Sequence, residues 1–258
     1  MRIVVCMKQV HDPKTVRISR SREEFDLRGA TAITNLPDKH ALEAALRLRE
    51  VAGGEVVAVT VGDAGAEDVV REAVAMGADR ALLVTAATDA QAGGRGVARI
   101  IAAAVRWLGD VGLVLTGQAG LVDGAGSLAP RLAAELSWPV LLDAANLVAQ
   151  GGGVQATVRR GDGVILAPLP FPAVASVQPI PERPRYPQPA RIANAWADGL
   201  VMFLTVDDLN LAADALAPDV ECGGLVLPPE RTRGQMIAGS APEAARQLAG
   251  ILRTKRIL

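Results

Sequence analysis

The stretch Leu113-Val-Leu-Thr-Gly-Gln-Ala-Gly-Leu-Val-Asp-Gly-Ala-Gly-Ser-Leu-Ala-Pro130 carries the strongest chemical signal in this 258-residue chain. It reads as a buried apolar strand (Leu113 to Leu115), a glycine-rich turn (Thr116 to Gly126) and a helix rich in Ala and Leu from about Ser127 to Leu136. A strand that runs through glycines into a helix start gathers free backbone N–H groups and the positive end of a helix dipole at one point, an arrangement that binds phosphate. The turn holds Gly117, Gly120, Gly124 and Gly126, with Asp123 just before the helix. It matches neither GxGxxG nor GxxxxGK[ST]. It contains no nucleophile–base pair and no metal-ligand spacing, so it reads either as a cradle where a nucleotide is held uncut or as an ordinary tight strand–helix connection.

Other residues with chemical potential are sparser. Asn35-Leu-Pro-Asp38 precedes a helix, so Asn35 or Asp38 either caps it or lines a nucleotide pocket with the same turn. His11 and His40 fall near strand and helix ends at the carboxyl edge of the implied sheet, where open α/β sheets bind ligands. No carboxylate–histidine pairing is legible, and both are expected as exposed loop or helix-start residues. Arg159-Arg160 and Arg183-Pro-Arg185 suit phosphates or partner carboxylates, and are expected as solvated surface charge. Cys6, inside an apolar strand, is expected as an inert buried thiol.

The elements that must position these residues alternate up to about residue 140. Strand-like runs are Ile3 to Met7, Glu55 to Val61, Arg80 to Val84 and Gly112 to Leu115. Helical patterns lie at about Asp38 to Val51, Ala64 to Met76 and Gly94 to Leu108. Leu42, Ala45, Leu46 and Leu48 give the first helix an apolar stripe; Pro37 suits its first turn, and Gly77 stops the second. Such alternation implies right-handed crossovers and an α/β fold, a doubly wound, mostly parallel sheet. From 140 to 177 the pattern changes. Val154 to Arg159, Gly163 to Ala167 and Ala173 to Val177 read as short strands that extend the sheet as antiparallel edge strands, constrained by Pro168, Pro170 and Pro172. The proline-dense Gln178 to Pro189 reads as extended surface chain. Beyond it, Val206-Asp-Asp-Leu starts a polar connection, Leu225-Val-Leu227 is strand-like, and Ala241 to Leu252 is helical behind Ser240 as N-cap with Pro242 in the first turn. The expected division is an α/β nucleotide-binding domain over residues 1–186, edge strands included. Residues 187–258 form an extended C-terminal arm with a helix, packing on a partner subunit.

Composition narrows the function classes. The formal net charge is -1, which gives no global attraction to nucleic acid or anionic membrane. Hydrophobic residues make up 50% and aromatics only 3%, so the core must be built from Ala, Val, Leu and Ile, as suits a parallel sheet under close-packed helices. Two distant cysteines, Cys6 and Cys222, make no disulfide framework. With no signal-peptide pattern and no apolar run near membrane-helix length, a reduced, cytoplasmic protein is expected.

Several segments, in order and over nearly the whole length, carry a resemblance. They are Val4-Val-Cys-Met-Lys-Gln-Val10; Asn35-Leu-Pro-Asp-Lys-His-Ala-Leu-Glu-Ala-Ala-Leu46; Ala75-Met-Gly-Ala-Asp-Arg-Ala81; Pro172-Ala-Val-Ala-Ser176 followed by Glu182-Arg-Pro-Arg-Tyr186; and Pro228-Pro-Glu-Arg-Thr-Arg-Gly234. Together the chain resembles the beta subunit of electron transfer flavoprotein, including its nitrogen-fixation-associated relatives. The resemblance implies a Rossmann-like fold of the adenine-nucleotide-hydrolase type. It implies a heterodimer whose alpha subunit carries the redox FAD, while this subunit buries an AMP or, in electron-bifurcating members, a second FAD. It further implies an electron carrier with no bond-making site of its own, relaying electrons from a flavin dehydrogenase to a quinone reductase or other acceptor. The positions that match the family's adenylate pocket are Cys6, Asn35, Leu36, Pro37, Asp38, Val61, Gly117, Gln118, Ala119, Gly120, Val122, Asp123, Gly124, Ala125, Gly126, Ser127, Leu128 and Ala129. Arg159 and Tyr186 lie in segments that approach the alpha subunit's flavin in the family.

The chain departs from the family at definite places. The family loop reads Gly-Lys/Arg-Gln-x-x-Asp-Gly/Asp-Asp-Thr-x-Gln; here Val122 stands at the first Asp, Gly124 at the last acidic position, Ala125 at Thr and Ser127 at Gln. A one-residue slip restores Asp123-Gly124 but not the Thr. Each lost phosphate hydrogen bond is worth roughly 0.5–3 kcal/mol. Ile165 replaces the usual Glu, and Pro187-Gln-Pro189 replaces the leucine-anchored loop that recognises dehydrogenases in the family, which implies a different partner. Two other readings compete. One is a stand-alone adenine-nucleotide-binding homodimer of stress-protein type. The other, an adenylating enzyme, lacks its Ser-Gly-Gly-x-Asp-Ser loop, since Lys8-Gln-Val-His-Asp-Pro13 follows the first strand.

Overall fold

A computed structural model describes residues 1–19, 24–86, 93–121, 124–179, 182–196, 199–212, 216 and 234–257. The chain begins with β1 (Arg2–Cys6), followed by the short strands β2 (Gln9–His11), β3 (Arg17–Ser19), β4 (Glu24–Asp26) and β5 (Ala32–Thr34). Then come α1 (Leu36–Ala52), β6 (Glu55–Gly62), α2 (Glu67–Met76), β7 (Arg80–Thr85), α3 (Gly93–Leu108), β8 (Val111–Gly117) and α4 (Leu128–Leu136). The rest comprises β9 (Val140–Gln150), β10 (Gly153–Arg160), β11 (Gly163–Pro170), β12 (Ala173–Val177), α5 (Pro189–Asn194), β13 (Val201–Thr205) and α6 (Ala241–Thr254).

Nine strands form one sheet in the order β11-β10-β9-β12-β8-β1-β6-β7-β13. From β9 to β13 every pairing is parallel; β10 and β11 add antiparallel pairings at one edge. The expected doubly wound, mostly parallel α/β sheet is therefore present. The period-2 geometry of β1 divides its side chains between two cores. Ile3 and Val5 pack with Leu42 and Leu46 of α1 and Val70 of α2, whereas Val4 and Cys6 pack with Ile100 of α3 and Leu132 of α4. Small side chains, such as Ala41 and Ala45 in α1 and Ala102 and Ala104 in α3, are buried. With so few aromatics, the core is filled by close approach of backbones rather than by large rings.

Three differences from the sequence reading stand out. The run 173–177 is not an antiparallel edge strand: β12 lies inside the sheet, parallel to both β8 and β9, and is buried throughout. A continuous apolar run fits a fully buried parallel strand, which an alternating edge pattern does not. The strand β9 goes unforeseen because Asp143 and Asn146 interrupt its apolar pattern. Likewise β13, from chain expected only as arm, adds a parallel edge strand to β7. In the C-terminal chain, Ser240 and Glu243 form a capping box at the start of α6, whose side chains reach no buried core. Cys222, Leu225 to Leu227 and residues 228–233 lie outside the described residues.

Candidate functional site

The chain steps outward from β1 through β6 to β7, then returns across the sheet to β8 on the other side of β1. In open α/β sheets such a reversal, here at the carboxyl ends of β1 and β8, is the place where ligands are held. Cys6 ends β1, Gly117 ends β8, and Val61 lies at the end of neighbouring β6. The start of α1 closes this edge from one face. Most of the sequence-selected positions thus converge on one edge, although Val122 and Asp123 lie outside the described residues.

Neither Asn35 nor Asp38 caps α1 with its side chain. The N-cap Asn35 makes no side-chain capping bond. Both side chains instead reach across to the strand ends. Asp38 Oδ2 accepts from the Lys8 N–H (2.9 Å) and Oδ1 from the Gly117 N–H (3.1 Å), which joins the end of β1 to the end of β8. Asn35 Nδ2 donates to the Ala119 carbonyl (3.1 Å), and Asn35 Oδ1 accepts from the Leu121 N–H (2.8 Å). The Asn-x-x-Asp spacing therefore ties down alternate residues of the turn from 117 to 121. Both residues are buried. Burial pushes the Asp38 carboxyl up to about 7, against the opposing bonds from Asn35, Lys8 and Gly117. Burial, aided by the nearby Asp38, also pushes the Cys6 thiol up, which keeps it a thiol and leaves it inert as a nucleophile.

Gly117 is required by close approach. A Cβ there would lie 2.7 Å from the Pro37 carbonyl carbon and 2.8 Å from the Asp38 nitrogen, so the helix start sits directly on the strand end. The loop then folds on itself, with Gly120 N–H donating to the Ala125 carbonyl (3.1 Å) and Gly124 N–H to the Gly120 carbonyl (2.9 Å). Gly124 has φ +62°. A Cβ at Gly126 would meet the Gln118 carbonyl oxygen at 2.8 Å, so the returning chain crosses directly over Gln118. Residues 124–127 are exposed, and Ala129 is buried.

At the start of α4 the Ser127 side chain makes no capping bond. Leu128 and Ala129 occupy the first turn, where N–H groups have no intrahelical acceptor, and Pro130 has no N–H. The start of α3 adjoins: a Cβ at Gly94 would sit 3.5 Å from both Ser127 Oγ and Arg131 Nε. The starts of α3 and α4 thus lie close together, with Arg131 beside them, and helix amino termini favour an anion. Among the described residues no group of three or more His, Cys, Asp or Glu could hold a metal ion.

Two expectations need correction. His40 is not an exposed helix-start residue; it is buried on α1, its Nδ1 has no hydrogen-bond partner among the described residues, and burial pulls its pKa down. Arg185 is not simply solvated: it pairs with the buried Glu43 (2.8 Å) and with Glu50 (2.6 Å), fastening the proline-rich segment to α1. His11 is exposed as expected. Leu36 is also exposed, at the start of α1. Sequence reading missed Asp143 and Ser176. Gln118 Nε2 donates to Asp143 Oδ1 (3.0 Å), and the Asp143 N–H donates to Ser176 Oγ (2.9 Å). No local motif marks Asp143; only the fold brings it to Gln118.

Residues 25–195 match the family model for the electron transfer flavoprotein domain. The chain is 30% identical to the electron transfer flavoprotein subunit beta of Bacillus subtilis (strain 168) over 99% of this chain and 98% of that one. It is 33% identical to protein FixA of Azorhizobium caulinodans over 69% of this chain and 66% of that one. It is 28% identical to the Caffeyl-CoA reductase-Etf complex subunit CarD of Acetobacterium woodii over the full length of both. On the matched span and these relatives, the chain belongs to the electron transfer flavoprotein family.

Proposed function

We propose that the chain is the beta-type subunit of a cytoplasmic, heterodimeric electron transfer flavoprotein. It helps to hold the FAD of an alpha subunit, buries an AMP or a second FAD in its own switch-point crevice, and passes electrons from a flavin dehydrogenase to a quinone reductase or other acceptor. The observation that carries this reading is the clamp of Asn35 and Asp38 on the turn from Gly117 to Leu121, at the edge where the starts of α3 and α4 meet. A turn already fixed by buried side chains binds with little ordering cost, which suits a nucleotide held for structural purposes.

The residues present fit an adenylate. Strand ends at Cys6 and Val61 form an apolar floor, while the first turn of α4 and the Ser127 hydroxyl supply donors to phosphate. Ala125 supplies no hydroxyl where the family's loop pattern has Thr, so fewer side-chain bonds would reach the phosphate. The bound flavin would supply the redox chemistry; this chain's residues shape and cover. A relative named as part of a reductase–Etf complex supports docking to a flavin dehydrogenase. The division proposed is an α/β unit over 1–186 and a partner-bound arm over 187–258, of which β13 reaches back onto the sheet beside β7 while α6 has no buried residues.

Co-expression with the alpha-type subunit of the same organism tests this. The expected result is a yellow, equimolar complex that releases AMP or FAD from the beta site on denaturation, identified by mass. Absence of association, with a stable homodimer that binds ATP or AMP and no flavin, would instead establish the stress-protein-like alternative.

A further inference from the structure

Asp143 adopts φ +62°, a left-handed conformation uncommon for residues other than Gly, Asn and Asp. It lies where β9 loses register with β12, one residue beyond the point at which the ladder to β10 ends, after a bulge at Ala145. Pairing with β12 shifts between Ala175 and Val177, and pairing with β10 shifts between Thr157 and Val158. A bulge in the middle of a sheet, beside a crevice, re-aims a side chain. Here the re-aimed carboxylate meets the first residue beyond Gly117, accepting from Gln118 Nε2 at 3.0 Å. The bulge is held in place by Ser176 Oγ on the Asp143 N–H and by the Gln178 N–H on the Ala144 carbonyl, each at 2.9 Å.

The turn is therefore held from two sides. Asn35 and Asp38 grip residues 117, 119 and 121 from the α1 side. Asp143 grips Gln118 from the β9 side, and the Gln118 carbonyl is where Gly126 crosses on its way to α4. We propose that Asp143 is a positioning residue for the glycine loop, which acts through Gln118 to set how the loop returns to the start of α4. Arg160, 3.6 Å from the other carboxylate oxygen and largely exposed, is an outer companion that contributes little. The proposal rests on the nucleotide reading above for its ligand readout alone.

The test uses the full chain with Asp143→Gly, Asp143→Asn and Arg160→Ala. Glycine accepts the positive φ without strain but removes the carboxylate; asparagine tolerates that φ and keeps an acceptor for Gln118. Amide hydrogen exchange at residues 117–121, measured without nucleotide, is expected to quicken in Asp143→Gly while thermal stability holds or rises. Binding of AMP to the complex is expected to weaken about tenfold in the glycine variant and by less than about threefold in the asparagine variant. Arg160→Ala is expected to match the wild type in both. Unchanged exchange in Asp143→Gly, or an equal loss in Arg160→Ala, overturns the proposal. A wild-type complex that binds no AMP defeats the nucleotide reading, while the exchange measurement still decides the role of Asp143.

Discussion

Asp38 sits at the junction of structure and function: it is buried, it bridges two strand ends, and its carboxyl titrates near neutrality because burial raises it. A pKa raised from 3.8 to about 7 means that the folded state binds the proton more tightly than the unfolded chain. The associated stability is full below the unfolded value and is lost as pH rises through the folded one. At roughly 1.4 kcal/mol per unit, the loss is on the order of 4 kcal/mol between pH 4 and 8. Asp38→Asn abolishes this slope, so the stability of the wild type relative to the variant should fall steadily from pH 4 to 8 in urea denaturation. A flat difference would exclude the buried, protonated carboxyl. Gly117 makes a second test. Gly117→Ala drives a Cβ into the backbone of Pro37 and Asp38 and is expected to cost about 1–3 kcal/mol, whereas Gly151→Ala, with nothing within 4 Å, should change little. The sequence showed both residues as notable, but it left Asp38 open between capping α1 and lining a pocket. Capping is a local pattern, and the true partners Lys8 and Gly117 are 30 and 79 residues away.

Elements show the same boundary between the legible and the hidden. Helices α1 to α4 and strands β1, β6, β7 and β8 were readable because their apolar periods and glycine stops are local. The direction of β12 was not, since a buried apolar run pairs equally well either way until its neighbours are known. Residues 182–188 of the proline-dense segment carry neither helix nor strand, as read, although Pro189 opens α5; the anchorage of the segment was invisible. Arg185 donates from its guanidinium to Glu43 and Glu50, and its backbone N–H also donates to Glu43 (3.1 Å). Burial works to raise the Glu43 pKa, but the bonds from Arg185 and Arg47 outweigh it and hold the carboxyl below its usual range. A group lowered in this way stabilises above its unfolded pKa, and the contribution fades as pH falls through the folded value. Arg185→Ala is therefore expected to cost about 1–3 kcal/mol at pH 7, because Glu43 stays buried with Arg47 alone. The cost should shrink below about pH 4, as the carboxyl protonates in both states. Chemical denaturation at the two pH values checks it, and a cost that does not change with pH would show that packing, not charge, fastens the segment.

At the scale of the whole molecule, the two ends of the sheet differ. One end is β13, laid against β7. The other is the antiparallel ribbon of β10 and β11, which carries Val164, Ile165 and Leu166 in succession at 62%, 51% and 60% exposure. Consecutive residues of a strand point to opposite faces, so both faces of the ribbon are apolar and open. An edge of this kind invites unwanted pairing unless it is blocked or covered. Pro168 and Pro170 lack the N–H for pairing and block its far half; among the described residues nothing comparable guards residues 163–167. We propose the alpha-type subunit of the heterodimer as its occupant, since the ribbon extends the sheet at its open edge. Ile165→Lys combined with Leu166→Lys places charges on both faces at already exposed positions. The double variant is expected to keep its own stability within about 0.5 kcal/mol. Recovery of the equimolar complex should meanwhile fall at least roughly tenfold, because buried unpaired ammonium groups are costly. Size-exclusion chromatography after co-expression, beside a melt of the isolated chain, separates the two effects. A complex recovered at wild-type yield from a normally folded variant would move the docking face off this ribbon and onto the remaining exposed chain, with α6 the next surface to test.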